Sequence, residues 1–357
     1  MNTRHTVLDD LPDDMICQIF SFIEARKLFT YPCCVCKRWH DLVLQTKLKI
    51  EFKFGNQQRN ESFINSVRKG SFNNVTSLDV KNVGSIDKLF EKNCWRSLST
   101  LLLSLSSYKV EDVQVIALSL DRLTKLNLAR SKISDEGLKY LSTMPLLKNL
   151  NLAQNSISAL GMKYIKGMRS LENLCLFGNI IGPSGCKYFV ESNLTNLQVL
   201  NLVGCKVGTE GAKLIAQGSF SNLKTLALYS DDIGLEAIKL ITLNLKHLNN
   251  LVLGFCNICL ESIKVIARGK LLELSMLNLT GNDVGDEGAQ VISRGGLHKL
   301  ERLLLSHNAI SDEGAKFLAT SENLPRLSQL FLEGNDITSV GETFFNGKKY
   351  KVVWSSQ

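Results

Sequence analysis

No uninterrupted apolar run in these 357 residues approaches the roughly 18 to 20 needed to cross a bilayer. No charged-then-apolar leader opens the chain either, so a soluble, unsecreted protein with no membrane partner is expected. The ten cysteines form no spaced framework, which points to a reducing compartment, cytoplasmic or nuclear, rather than to disulfides. The Asn-x-Ser/Thr triplets at Asn60, Asn74, Asn193 and Asn278 are then idle, because glycosylation requires secretion. Histidine is sparse and scattered, at His5, His40, His247, His298 and His307. Cys33, Cys34 and Cys36 cluster with no second Cys or His pair at zinc spacing, so no metal is expected. Phosphate-loop, dinucleotide and nucleophile-elbow motifs are missing as well, which leaves no candidate catalytic residue and no implied cofactor. The net charge of +8 comes from 42 basic and 34 acidic residues. It forms no basic stripe of the kind that binds nucleic acid.

What the chain does have is a repeated phrase. Leu147 to Gly161 reads L-x-x-L-x-L-x-x-N-x-I, the leucine-rich-repeat signature. The phrase recurs from Leu123, Leu147, Leu171, Leu197, Leu223, Leu248, Leu274, Leu300 and Leu327, with looser copies at Val75 and Leu98, in steps of 23 to 27 residues. Within each copy the leucines alternate as a strand does. Fourteen residues after each regular start stand Gly137, Gly161, Gly185, Gly211, Ala237, Ser262, Gly288, Gly314 and Gly341, small enough for a helix pressed against the strands. Four residues later come Leu141, Ile165, Phe189, Ile215, Ile241, Ile266, Ile292, Leu318 and Phe345, the buried stripe of that helix. Ser134, Thr209 and Ser311 sit where N-caps are wanted, and the acids after them, Asp135, Glu136, Glu210, Asp312 and Glu313, suit the helix dipole. Cys205 and Cys256 replace the consensus Asn, where a small buried side chain fits.

One such unit cannot bury its own apolar edge, so neighbours must stack on it. The expected fold is α/β: a leucine-rich-repeat solenoid of about eleven repeats over residues 75–337, a right-handed horseshoe with a concave parallel sheet and convex helices. At about 4.8 Å per strand its inner edge would span roughly 50 Å. Residues 46–74 read as an N-terminal cap, with Leu48, Ile50, Phe52 and Phe54 alternating as an edge strand, and residues 338–357 as a C-terminal cap.

Residues 1–45 are a different kind of sequence. Leu11-Pro12-Asp13-Asp14 suits a helix start, and Ile16, Ile19, Phe20 and Ile23 follow at helical spacing. A second apolar segment runs through Leu28, Val35, Trp39 and Leu42, and so short a module can hardly cover its own apolar surface. Leu11-Pro12, the Ile19-to-Ile23 run, Leu28 and Val35-Cys36-Lys37-Arg38-Trp39 together resemble the F-box, a three-helix module that docks on a Skp-type adaptor of cullin-based ubiquitin ligases. With repeats on its C-terminal side, the chain resembles F-box/leucine-rich-repeat substrate receptors. The resemblance implies that Leu11, Pro12, Ile16, Ile19 and Val35 face the adaptor, through it a cullin, while Trp39 packs inside. Pro32 departs from the family pattern and should kink or delay a helix.

The strand positions two, four and six after each start should line the concave face. They carry Asn127, Asn149, Asn151, Asn173, Asn201, Asn250 and Asn278 among small apolar residues, while lysines gather on the helix side in GLKYL, GMKYI, GCKYF and GAKLI. Phe177, Val203 and Tyr229 share one column in consecutive repeats, Phe255 stands beside it, and Leu304 and Phe331 extend the apolar set. Grouped aromatics on such a face are what a protein-binding site requires, so these six are the candidate substrate contacts. Helix-bearing repeats also occur in Ran GTPase-activating proteins, so a small-GTPase regulator is the alternative class, with a plain scaffold as a third. Their repeats are longer, however, and the N-terminal segment would then be unexplained.

Overall fold

The computed structural model describes residues 12, 13, 15–17, 38, 42, 48–53, 74–81, 86, 89–90, 95–103 and 107–354, with backbone alone at 48–53 and 81. The chain divides into two compact units, Met1–Ile133 with Thr143–Asn151, and Ser134–Ser142 with Leu152–Gln357. In the first unit β1 (Leu48–Lys53), β2 (Val75–Lys81), β3 (Thr100–Leu102), β4 (Lys125–Asn127) and β5 (Asn149–Asn151) pair in parallel in sequence order. Their register sets Leu78, Leu101, Leu126 and Leu150 side by side in one buried row. Helix α1 (Val110–Ser119) begins with Asp112 bridging two segments: its Oδ2 accepts the Lys109 N–H at 2.9 Å and its Oδ1 the Ile86 N–H at 3.4 Å.

The second unit continues the pattern with β6 (Asn173–Cys175), β7 (Val199–Asn201), β8 (Thr225–Ala227), β9 (Asn250–Val252), β10 (Met276–Asn278), β11 (Arg302–Leu304), β12 (Gln329–Phe331) and β13 (Lys351–Val353). Again each strand pairs in parallel with the next. Its helices are α2 (Asp135–Leu141), a 3-10 helix (Gly161–Gly167), α3 (Gly182–Glu191), α4 (Gly208–Gln217), α5 (Leu235–Asn244), α6 (Leu260–Arg268), α7 (Gly285–Ser293), α8 (Asp312–Ala319) and α9 (Ser339–Thr343). Strand leucines and the helix stripe meet in one core, where Phe189, Ile215, Ile241 and Ile292 are buried. The small residues also behave as expected: a Cβ on Gly185 would come within 2.6 Å of Ile181 Cγ2, and one on Gly211 within 2.8 Å of Val207 Cγ1. Phe345 meets Tyr350 and Trp354 edge-on at 6.4 and 5.5 Å beyond the last full repeat.

One short repeat keeps its helix span by changing helix type. The repeat starting at Leu147 is only 24 residues long and makes a 3-10 helix of 7 residues, where the 26-residue repeat at Leu197 makes an α-helix of 10. A 3-10 helix rises about 2.0 Å per residue and an α-helix about 1.5 Å, so both span roughly 15 Å. Fewer residues thus cover the same ground.

Two expectations at the helix starts need correction. Thr209 is not an N-cap; Val207 holds that place in α4. The Thr209 hydroxyl instead reaches the next repeat, accepting the Gly234 N–H at 2.9 Å and donating to the Asp232 carbonyl at 3.2 Å. The first-turn aspartates likewise do more than face a dipole. Asp135 accepts from the N–H and hydroxyl of Ser158 at 2.7 and 2.6 Å. Asp286 takes the same pair from Ser311 at 2.8 and 2.6 Å, and Asp312 from Thr338 at 2.7 and 2.7 Å. In each case the receiving repeat also has a glycine, Gly161, Gly314 or Gly341, whose missing Cβ leaves room for that carboxylate. An Asp in one repeat is therefore matched to a Ser or Thr and a Gly in the next.

A second set of bonds runs along the consensus Asn position. Asn179, Asn282, Asn308 and Asn335 each donate Nδ2 to a leucine carbonyl of the preceding repeat, at 2.8, 2.6, 2.9 and 2.8 Å, and accept backbone N–H groups with Oδ1. Cys205 and Cys256 fill that role with their thiols, donating to the carbonyls of Leu176 and Leu228 at 3.0 and 2.7 Å. Burial pushes both thiols up to about 12. Asp231 is the exception in this series. It is only 8% exposed, and its Oδ2 has no hydrogen-bond partner.

Candidate functional site

The strand residues that alternate with the core leucines form the face opposite the helices. From β6 to β10 that face presents Asn173, Cys175 and Phe177, then Val199, Asn201 and Val203, then Thr225, Ala227 and Tyr229, then Asn250, Val252 and Gly254, then Met276, Asn278 and Thr280. None of these is Lys, Arg, Asp, Glu or His, although 21% of the chain is Asp, Glu, Lys or Arg. The register places Asn201, Ala227, Val252 and Asn278 side by side in one row across four strands. Asn201 Oδ1 accepts the Val203 N–H at 3.0 Å and Asn278 Oδ1 the Thr280 N–H at 2.9 Å, closing the turn after each strand. Their Nδ2 groups are left as donors.

Of the six predicted contact residues, the structure brings two into direct contact. Tyr229 and Phe255 lie with ring centroids 5.3 Å apart and planes tilted by 57°. Phe177 and Val203 flank them, both half-buried. Leu304 and Phe331 pair across β11 and β12 as a separate group, with the Arg302 guanidinium 6.0 Å from the Phe331 centroid.

The Tyr229–Phe255 contact depends on the turn. Seven residues after its repeat start, each regular repeat turns left-handed, at Arg130, Gln154, Gly178, Gly204, Ser230, Phe255, Gly281, His307 and Gly334. Glycine is the inexpensive choice for that backbone, and four repeats use it. Phe255 adopts φ 53 in the same place and remains 48% exposed. Its ring lies across Gly281, where a Cβ would come within 2.5 Å of it, and Tyr229 lies across Gly254 in the same manner. A bulky side chain held in a disfavoured backbone, half in solvent, is a feature that often marks a binding site. The sequence shows this column of residues but not the contact, which needs the turn and the two glycines.

The helix-side lysines are largely paired. Lys139, Lys213, Lys239 and Lys264 each meet a glutamate three residues back, at 2.6 to 2.9 Å. A cleft of about 660 Å³ on that side, between α7, α8 and α9, mixes Arg294 and Lys316 with Asp312, Glu313 and Glu322, and Asp312 is already bound to Thr338.

Cys259 is the chemically distinct thiol among the described residues. It is exposed at the start of α6. The Ser262 hydroxyl, 3.4 Å away, and then the Ser262 N–H hold it below its ordinary value of 9.0. Thiolate is the reacting species, so iodoacetamide at neutral pH should label Cys259 fastest among the described cysteines. Peptide mass spectrometry over a time course reads this; equal rates at Cys205 or Cys256 would contradict it.

At the N-terminus Asp13, Met15, Ile16 and Cys17 are helical, and the Ile16 N–H donates to the Pro12 carbonyl at 3.1 Å. Arg38 pairs with Asp13 at 2.7 Å, and the Cys17 thiol donates to the Leu42 carbonyl at 3.7 Å. Pro12 is exposed. Ile16, expected to face an adaptor, is instead only 1% exposed, and Met15 at 47% takes the outer face. The resemblance assigns Ile16 by family position, whereas packing within this chain decides which side of the short helix is covered. Leu11, Ile19 and Val35, with Pro32 and Trp39, lie outside the described residues.

Comparison with known proteins agrees with this arrangement. Residues 8–50 match the F-box-like family model. Residues 121–181 match one leucine-rich-repeat model, and residues 193–216, 274–293 and 296–319 match another. No curated protein sequence matches the chain. Among solved structures it is similar to an internalin from Listeria monocytogenes, at 18% identity and TM-score 0.53 over 97% of this chain and 95% of that one. It is also similar to TLR13 in a TLR13–ssRNA13 complex, at 18% identity and TM-score 0.52 over 80% of this chain and 39% of that one. At this identity the likeness concerns the fold alone, a leucine-rich-repeat solenoid. With an F-box-like domain at its N-terminus followed by leucine-rich repeats, the chain has the architecture of an F-box/leucine-rich-repeat protein.

Proposed function

We propose that this chain is the substrate-recognition subunit of an SCF-type (Skp-cullin-F-box) ubiquitin ligase, working in the cytoplasm, the nucleus or both. The observation that carries the reading is the F-box-like match at residues 8–50 ahead of leucine-rich repeats. Residues 1–45 form the adaptor-docking module and residues 75–337 the repeats, with caps at 46–74 and 338–357. The module binds a Skp-type adaptor and through it a cullin, and exposed Pro12 supports a docking role. The strand face around Tyr229 and Phe255 holds the protein to be ubiquitinated. The subunit is non-catalytic. It works by proximity, raising the effective concentration of the target lysine near a charged ubiquitin-conjugating enzyme.

Purified chain and a Skp-type adaptor should elute as a one-to-one complex from size exclusion. Replacing Leu11 and Pro12 together by alanine should abolish that complex while the repeats keep their circular dichroism. Failure of the unaltered chain to bind adaptor at micromolar concentrations would end the reading.

A further inference from the structure

We infer that the segment held on the strand face is an extended, uncharged peptide with an apolar or aromatic side chain at its centre, recognised without phosphorylation. This rests on the substrate-receptor reading and deepens it. The row Asn201, Ala227, Val252, Asn278 is a floor with an apolar middle and an amide donor at each end. Each Asn has its Oδ1 engaged by the turn of its own repeat, so what it offers a ligand is N–H. Backbone carbonyls are the acceptors every peptide carries, and a carbonyl removed from water needs such a donor. Asn201 and Asn278 stand three strands apart, about 14 Å at about 4.8 Å per strand. An extended chain covers that distance in about four residues, at roughly 3.4 Å each. The side chain between the two anchored carbonyls then lies over Ala227 and Val252, with the Tyr229 and Phe255 rings as its wall.

The charge pattern excludes an acidic or phosphorylated occupant of this row. Fifteen face positions from β6 to β10 offer no cation to a carboxylate or phosphate. Bringing such a group against the rings would strip its water without compensation. Among the described residues the charges on the later strands of this face are Arg302, Glu333 and Lys351, all beyond the row. Phe255 adds a second argument. Four equivalent turns use glycine, so an exposed phenylalanine there serves contact rather than the turn.

The test uses the full chain in complex with adaptor, panned against a display library of random twelve-residue peptides. Enriched peptides should share a run of about four uncharged residues containing an aliphatic or aromatic side chain. Phe255→Gly should weaken them by about tenfold or more, and its fold should be intact because glycine already occupies the same turn in other repeats. Asn201→Asp and Asn278→Asp keep the turn acceptor and remove the donor, and each should weaken binding by a similar factor. Placing phosphoserine within the run should do the same. Enrichment of acidic or basic peptides, equal binding to Phe255→Gly, or no enrichment at all would overturn the inference. Adaptor co-elution is read separately: if it fails, the receptor reading falls whatever the peptides do, and if it holds while panning enriches nothing, only this inference falls.

Discussion

Gly314→Ala is expected to lower the unfolding free energy by about 3 kcal/mol, and Gly285→Ala by only about 1 kcal/mol. Both glycines lie in α7 or α8 and differ in what an added methyl would meet. At Gly314 it would strike the Asp286 carboxylate and approach Ile310 Cγ2 to 2.7 Å. That carboxylate accepts from the Ser311 N–H, the Ser311 hydroxyl and the Gly314 N–H at 2.8, 2.6 and 2.9 Å, so moving it loosens three bonds between repeats. At Gly285 nothing lies within 4 Å, and the penalty is the left-handed backbone alone, φ 58. Asp286→Ala removes both the bonds and part of the obstruction. Combined with Gly314→Ala it should therefore cost less than the two changes summed, a positive coupling read by urea titration of the four proteins in a double-mutant cycle. Strict additivity would show that the carboxylate and the glycine are not matched.

The second large effect has the opposite sign. Asp231→Asn is expected to stabilise the protein by about 1 to 3 kcal/mol at pH 7. Asp231 stands in the series where Asn179, Asn282, Asn308 and Asn335 donate to a leucine carbonyl of the preceding repeat, and a carboxylate cannot donate. Its Oδ2 is buried without a partner, and an amide there would supply the missing N–H. Burial raises the Asp231 carboxyl above its ordinary 3.8, against the backbone N–H groups of Val207 and Gly208, which lower it. The folded state then binds the proton more tightly than the unfolded one. The stabilisation from that proton is complete below the unfolded value and is lost as pH rises through the raised one. The gap between the Asn variant and the parent should accordingly be widest at neutral pH and narrow on acidification. Parallel melts from pH 4 to pH 7 read it, and a gap independent of pH would contradict the argument.

Much of the architecture was legible in the chain because it depends on period. A strand of alternating leucines, a small residue fourteen places on and an apolar one four later must face inward whatever their neighbours are, and Leu174, Gly185 and Phe189 do. Cys205 and Cys256 were rightly read as buried packing residues, since a thiol is small enough for the Asn site. Thr209 as an N-cap is wrong, and the cross-repeat bonds of the first-turn aspartates escape a linear reading, because a helix start offers a ready local explanation. Their partners, Gly234, Ser158, Ser311 and Thr338, lie 23 to 26 residues away and become adjacent only when repeats stack. Ile16, which the F-box resemblance places against the adaptor, is covered in this chain, because packing decides which side of a short helix stays open.

The candidate site divides in the same way. The sequence pattern alone determined that the strand face would lack a basic stripe and would carry Phe177 and Tyr229 in one column with Phe255 beside it, because alternation in a strand assigns every second side chain to that face. Only the tertiary structure decided that Tyr229 and Phe255 touch while Leu304 and Phe331 stand apart, and that Asn201 and Asn278 flank one row. Those facts depend on strand register and on a left-handed turn at Phe255. Both are set by hydrogen bonds to the neighbouring repeats, and a linear pattern does not contain them.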